Sequence, residues 1–160
     1  MSDVAKVFDK VSPGYDDWYS QPKGKQVFEA ESRAVESMLP SEGVGLEIGA
    51  GTGKFADEFT TSNRTVICLD LSVGMLLKAR ERCLHTLLGD ATRLPFREGS
   101  LDFAYLVTVI EFLRDPVVVL EGIKDVLKNG APIVALIINR DSEWGELYLK
   151  MAKNNDLVFS

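Results

Sequence analysis

The sequence has few of the residues and segments that mark metal-binding, secreted or membrane proteins. Its two cysteines, Cys68 and Cys83, lie in apolar or helical patterns without metal-ligand spacing, which favours buried free thiols and predicts no metal site. The single histidine, His85, begins a predicted strand, remote from the predicted cleft, and is assigned no catalytic role. Apolar runs such as 133–138 are far shorter than the roughly 20 residues that span a bilayer, and no secretory signal opens the chain. We therefore expect a cytoplasmic protein with no membrane partner.

Basic residues are also scarce relative to acidic ones. The chain has 18 Lys and Arg against 24 Asp and Glu, a formal net charge of -6. Proteins that bind nucleic acids usually present a basic face, so a small-molecule partner is favoured over a nucleic acid. Single domains usually run about 100–200 residues, and no repeated or low-complexity segment divides this chain of 160 residues. One domain over residues 1–160 is expected.

From residue 44 onward, short runs of Val, Ile and Leu alternate with amphipathic stretches, as in the βαβ units of a parallel sheet. Burial on both faces requires nearly continuous apolar strands, and five such runs are predicted as strands, at 44–48, 65–70, 85–88, 101–107 and 131–138. The clearest helix follows Asp115-Pro116, an N-cap residue and an N1 proline, and ends at Asn129-Gly130. The predicted fold class is α/β, a doubly wound, mostly parallel, Rossmann-like sheet over residues 43–160.

Residues 1–39 precede the first strand and form a predicted N-terminal helical cap. Aromatic residues cluster around a Pro13-Gly14 break, and a helix is predicted over 25–38. These aromatics either pack a helical layer against the sheet or belong to a lid over a ligand.

A glycine-rich turn, Gly49 to Gly53, follows the first strand and opens a predicted helix. Glycine can take left-handed dihedrals and lets a ligand approach the backbone, and the helix start offers N–H groups to an anionic ligand group. By itself the pattern also suits an ordinary tight turn. Asp70 ends the second strand, where an acid can hold both hydroxyls of a ribose, or cap the helix that begins near Ser72 unless Ser72 does so.

A second acid, Asp90, lies in Gly89-Asp90-Ala91 after the third strand. Its carboxylate could accept a hydrogen bond from an adenine amino group, although taken alone it suits a turn. The glycine turn and both acids would stand at the carboxyl ends of adjacent strands, where ligands bind in open α/β sheets. The combination predicts a nucleoside-type site.

The segment L-E-I-G-A-G-T-G at 46–53 resembles the first motif of the class I S-adenosylmethionine-dependent methyltransferases, especially the small-molecule group that includes the ubiquinone and menaquinone biosynthesis type. Later segments of that family are resembled by four stretches of this chain, at 69–76, 89–96, 100–112 and 127–131. The N-terminal lid of the family is similar to residues 8–18. The resemblance implies transfer of a methyl group from S-adenosylmethionine to a small-molecule acceptor, leaving S-adenosylhomocysteine.

The resemblance also implies a set of residues that bind the methyl donor. Within it, Glu47 would hold the donor's ammonium group, unless it is a strand-end carboxylate paired with backbone N–H groups, and Tyr15 would close over the methionyl part. The full implied set is Tyr15, Glu47, Gly49, Ala50, Gly51, Thr52, Gly53, Asp70, Leu71, Met75, Gly89, Asp90, Ala91, Leu106 and Val107.

Two departures from the family pattern bear on the acceptor. Glu111 stands where many relatives have a histidine, and is either a base or an exposed turn carboxylate. Val107-Thr108-Val109 stands where amino methyltransferases have an N-P-P-Y-type motif, which disfavours an amine-directed nucleic-acid methyltransferase. No catalytic residue is assigned.

Two other functions are weighed. A nicotinamide-dependent oxidoreductase would need glycine at the position of Lys54 and has no role for Gly89-Asp90. An S-adenosylmethionine-binding sensor, or a catalytically silent partner subunit, would keep the donor residues but lack an acceptor pocket.

The end of the chain carries one further expectation. Beyond the fifth strand the sequence has room for about one helix, around 144–151, whereas the family normally adds two more strands. The apolar edge of the fifth strand would then be left without a neighbouring strand. We expect either that the natural polypeptide continues beyond Ser160 or has residues that this sequence lacks, or that a homodimer covers the edge.

Overall fold

Five parallel strands form the sheet of this computed structural model, which describes residues 3–82, 84–143, 145, 146 and 150. The strands are β1 Gly43–Ile48, β2 Arg64–Asp70, β3 His85–Leu88, β4 Phe103–Val107 and β5 Ile133–Leu136. Their order across the sheet is β3-β2-β1-β4-β5, with every neighbouring pair parallel. The chain thus winds outward from β1 in both directions, which confirms the predicted doubly wound α/β class.

Two strands were predicted to be longer than they are, and both errors involve apolar residues that lie outside the strands. Leu101 was placed in the fourth strand, but it makes only an isolated bridge to Leu127 before β4 begins at Phe103. The fifth strand was predicted over 131–138 but runs only over Ile133–Leu136, so both of its predicted ends were wrong by two residues. Ile137, which is exposed, and Ile138 instead line a cavity and lie outside the strand pairing.

The helices divide into a cap and the sheet connections. Three precede the sheet: α1 Asp3–Val11, α2 Asp17–Ser20 and α3 Pro22–Glu36. The predicted helix over 25–38 is therefore present, but it begins earlier because Pro22 is suited to the first helical turn. Three further helices connect the strands: α4 Lys54–Phe59, α5 Val73–Glu81 and α6 Pro116–Val126. The Asp115 carboxylate caps α6 by accepting from Val118 N at 3.2 Å, as its position before Pro116 predicts.

Both faces of the sheet are buried, which explains why its central strands are continuously apolar. On β4, Phe103 and Tyr105 pack with α3 and α4, while Ala104 and Leu106 pack on the other face with α6. Buried Arg64 ties the cap to the sheet, because its guanidinium pairs with Glu36 at 2.6 Å at the end of α3. The interior on the cap side also holds Cys68 as a buried free thiol, as predicted, whereas Cys83 lies outside the described residues.

Across the described part of the chain, no helix combines the length and apolarity needed to cross a membrane. Within the same residues, β5 stands at one edge of the sheet. Most of the helix predicted around 144–151 lies outside the described residues, so it and the further strands stay predictions.

Candidate functional site

A cavity of about 670 Å³ lies where the strands of the sheet end and the N-terminal helices cover them. Its wall includes the carboxyl ends of β1, β2, β4 and β5 together with residues of the cap. This is the position at which open α/β sheets bind ligands, and the volume is in the range of small-molecule sites.

The glycine turn exposes its backbone to this cavity. Gly49, Gly51 and Gly53 have φ values of 65°, 55° and 74°, in the left-handed region that side chains rarely adopt. A Cβ built on Gly51 would have no atom within 4 Å, so the peptide faces open space. A Cβ on Gly49 would lie 2.6 Å from Val109 Cγ2, so glycine is required there for packing as well.

Asp70 lines the cavity beside the turn and fixes its shape. Its carboxylate accepts from Gly51 N and from Ser72 N, both at 2.8 Å. Burial raises the pKa of Asp70, and the hydrogen bonds from Ser72 and Gly51 oppose that rise. The alternative capping role falls to Ser72, whose hydroxyl accepts from Met75 N at 3.1 Å at the start of α5. A carboxylate has about four acceptor positions, so Asp70 can accept further bonds from a ligand.

Asp90 lines the same cavity and also makes a local turn. Its Oδ1 accepts from Thr92 N at 2.9 Å and from Thr92 Oγ1 at 2.8 Å, and these bonds lower the pKa of Asp90. In the described part of the chain its Oδ2 accepts no hydrogen bond, so it stays available at the cavity wall. Gly89 holds this loop against β2 by donating its N–H to Asp70 O at 3.0 Å.

The rest of the implied set divides between the cavity wall and the layer beneath it. The other wall residues of that set are Tyr15, Leu71, Met75, Gly89, Ala91 and Val107, while Ala50, Thr52, Gly53 and Leu106 lie outside the wall.

Glu47, the remaining member, is buried and also lies outside the wall. Burial raises its pKa to about 8, and the neighbouring Tyr105 opposes the rise only in part. Its Oε2 has no hydrogen-bond partner within the described residues.

Comparison with known proteins identifies the family. A solved structure from Thermotoga maritima, described as a SAM-dependent methyltransferase and possible histamine N-methyltransferase, superposes with a TM-score of 0.85 at 32% identity, covering 98% of this chain and 71% of that one. Residues 46–135, more than half of the chain, match the family described as "Methyltransferase domain". The chain belongs to the class I S-adenosylmethionine-dependent methyltransferases.

Two curated relatives of this methyltransferase have similar sequences. An uncharacterized protein of Methanocaldococcus jannaschii is 37% identical over 142 residues, which are 89% of this chain and 66% of that protein. Demethylmenaquinone methyltransferase of Renibacterium salmoninarum is 31% identical over 137 residues, covering 82% of this chain and 57% of that protein. The chain therefore spans less than two thirds of the length of these relatives.

Two carboxylates of the lid-like segment 8–18, which were not predicted as site residues, join the cap of the methyltransferase to α5 and to the glycine turn. Asp9 Oδ1 accepts from Ser72 Oγ at 2.6 Å and from Gly74 N at 2.8 Å, bonds that lower the pKa of Asp9. Asp16 accepts from Thr52 Oγ1 at 2.7 Å and pairs with Arg82. The cap is thus attached on both sides of the glycine turn and Asp70.

Other wall residues of the methyltransferase were also missed. Thr108, at the end of β4, has φ of 51°, an unusual conformation for a threonine and one that concentrates at functional sites. Val27 and Glu31, one turn apart on α3, both face the cavity. A helix pattern alone cannot separate such a face from a solvated one.

Glu111 has a structural contact rather than a place in the cavity wall. It lies exposed in a short 3₁₀ turn, where its Oε1 accepts from Ile138 N at 2.7 Å. This geometry favours the turn-carboxylate alternative, and the contact positions the segment that follows β5 in the methyltransferase.

Proposed function

We propose that the protein transfers a methyl group from S-adenosylmethionine to a small-molecule acceptor, with S-adenosylhomocysteine as the other product. The observation that carries the proposal is the pairing of Asp70 with the open backbone of Gly51 in one cavity wall. A nucleoside-type ligand needs an acid for its ribose hydroxyls and a turn without side chains beside it.

The residues present fit such a donor. Asp70 retains acceptor capacity, Leu71 and Met75 supply apolar surface, and Asp90 Oδ2 is available for an amino group. Glu47 has one carboxyl oxygen, Oε2, without a hydrogen-bond partner among the described residues, and this supports its proposed role toward the donor's ammonium group, either directly or through the turn.

When bound, the donor supplies a methyl sulfonium, which is already an electrophile. The protein therefore has to hold and orient the reactants and keep water away. Gly49 and Gly51 would let the methionyl part lie against the backbone, and the aromatic side chains of the cap, including Tyr15, would cover it. No nucleophilic side chain is needed.

The acceptor is proposed to be small because the cavity is a concave site partly covered by the cap and has no basic surface in its described wall. The described charged residues of the cavity wall are Glu31, Asp70 and Asp90, all acidic, which is unsuited to nucleic-acid phosphates. The cytoplasmic location and the homodimer expected from the sequence remain predictions.

Incubation with methyl-labelled donor and a cell extract, followed by identification of the labelled product, tests the proposal. We expect a labelled small molecule with the wild type, a large loss with Asp70→Asn, and no loss with Asp125→Asn, which changes an exposed carboxylate on α6. Donor binding without any labelled product would favour the sensor or silent-subunit alternative instead.

A further inference from the structure

Part of the cavity lies at the carboxyl ends of β4 and β5, away from the residues proposed to bind the nucleoside. Asp70 and Asp90 follow β2 and β3, on one side of β1, whereas β4 and β5 lie on the other. The cavity wall on this second side includes Thr108 and Val109 after β4 and residues 136–139 at and beyond the end of β5. A donor held by the glycine turn and Asp70 would leave this half for the acceptor.

Glu31 contributes the only charged side chain that the described part of α3 brings to the cavity wall. The helix packs against both β5 and α4, and its contact with β5 is the basis for assigning Glu31 to the β4–β5 half of the cavity. Among the described residues it has no hydrogen bond and no ion pair, and it is half-buried. Burial raises the pKa of Glu31 to about 7. An unpaired, partly desolvated carboxylate is unfavourable unless a ligand compensates it.

The surroundings of Glu31 select for positive charge. The other charged residues of the described wall, Asp70 and Asp90, are acidic as well. Lys54, on α4, is not in the wall; its ammonium lies over the Phe28 ring, 4.5 Å from the centroid, and over the ring of the wall residue Tyr19, 5.5 Å from the centroid. The other aromatic side chains of the lining, whose faces can attract cations, are Phe8, Tyr15, Trp18 and Phe112.

We propose that the acceptor is a small amine and that the Glu31 carboxylate binds its nitrogen. The inference rests on the proposed methyl transfer. The bound ammonium first gives a proton to the Glu31 carboxylate, which frees the nitrogen lone pair. That lone pair forms the new C–N bond while the C–S bond breaks, and the electrons of the C–S bond remain on sulfur. The product leaves as the methylated ammonium, and Glu31 releases its proton to solvent. An anionic acceptor would be repelled by all three acids, and a neutral alcohol would leave Glu31 without a counter-charge.

Binding measurements on matched probes test the inference without turnover. Calorimetry on the protein loaded with S-adenosylhomocysteine would compare 2-phenylethylamine, 2-phenylethanol and 3-phenylpropanoate, which share a ring and a chain but differ in charge. We expect the amine to bind at least about tenfold more tightly than either analogue, and its affinity to rise with pH through about 7 as Glu31 ionises. Glu31→Gln should abolish both the preference and this pH dependence.

A control on the same helix separates this effect from general changes in charge. Glu29→Gln alters an exposed carboxylate of α3 and should retain the amine preference. Absence of amine preference in the wild type, or its persistence in Glu31→Gln, would overturn the inference. If S-adenosylhomocysteine itself does not bind the wild type, the proposed methyl transfer fails instead.

Discussion

Asp70→Asn perturbs the donor site at the residue that joins the glycine turn to the proposed ribose position. The carboxylate already accepts two backbone N–H bonds at 2.8 Å, from Gly51 and Ser72. The amide keeps the shape but loses the charge and one acceptor oxygen. Hydrogen bonds to charged groups contribute about 1.5–3 kcal/mol each, and water replaces part of that in the free protein. We therefore expect donor affinity to fall by about 1.5–3 kcal/mol, roughly a tenfold to 150-fold rise in Kd.

A loss of affinity alone would not show that Asp70 touches the ribose, because the substitution also loosens the turn. Calorimetry with S-adenosylhomocysteine and with its 2′,3′-dideoxy analogue resolves this as a double-mutant cycle. The wild type should bind the dideoxy analogue more weakly than S-adenosylhomocysteine, whereas Asp70→Asn should bind the two ligands with nearly equal affinity. Asp125→Asn serves as the charge-matched control. An equal penalty for the dideoxy analogue in the wild type and Asp70→Asn would refute the assignment of Asp70 to the ribose.

Three other substitutions probe the turn, the cap and the buried acid. Gly51→Val should lower stability by about 1–2 kcal/mol, because the φ of 55° at this position disfavours a β-branched residue. It should also abolish donor binding in calorimetry, because the valine side chain would fill cavity space. Normal donor binding by this variant would show that the donor does not lie against the glycine turn. Asp9→Asn should weaken the bonds from Ser72 and Gly74 by about 1 kcal/mol and speed hydrogen exchange in residues 4–20 roughly fivefold. Donor should slow that exchange in both proteins, and exchange that is equally slow with and without donor would show that the cap is ordinary packing. Glu47 has a pKa raised from 4.5 to about 8, so the folded state holds a proton that the unfolded chain releases. This proton should lower stability by up to about 1.4 kcal/mol per pH unit as pH rises between these values. In denaturant titrations Glu47→Gln should remove this contribution and leave the one that Glu31, with a pKa raised to about 7, makes over part of the same range; an unchanged slope would show that Glu47 is ionised in the fold.

The sheet and the donor half of the site could be predicted because their signals are local. Strands buried on both faces leave continuous apolar runs, and the turn, Asp70 and Asp90 each follow such a run directly. Parallel strands bring their carboxyl ends to one edge, so the cavity wall contains Gly49, Gly51 and both acids. The strand ends at 101 and 137–138 were wrong because an apolar residue that is buried in the core outside a strand, as Leu101 is, or that lines a cavity, as Ile137 and Ile138 do, has the same sequence pattern as one in a strand.

The attachments of the cap could not be predicted because nothing in the local sequence specifies them. Asp9 meets Ser72 and Gly74 from 63 and 65 positions away, and Asp16 meets Arg82 from 66. An aspartate near a helix end is typical of a solvated or capping residue. Glu31 poses the same difficulty, because an acid on an amphipathic helix usually faces water. Its place in the cavity wall depends on how α3 packs against α2, α4 and β5, which the local sequence does not specify.

The donor half and the proposed acceptor half of the cavity differ in how their residues are distributed along the sequence. The donor half is built from consecutive strand ends of one continuous segment, so changing any of its residues alters the turn, Asp70 or Asp90. The proposed acceptor half combines α3 with residues 136–139, which are about a hundred positions apart and share no hydrogen bond with Asp70. Substitutions at Val27, Glu31 or Ile137 should therefore change the acceptor while donor affinity is retained, since distant sites without shared partners vary independently. Sequence motifs can identify the donor because its residues lie in one continuous segment. They do not identify the acceptor, because the residues proposed to select the acceptor belong to no common motif.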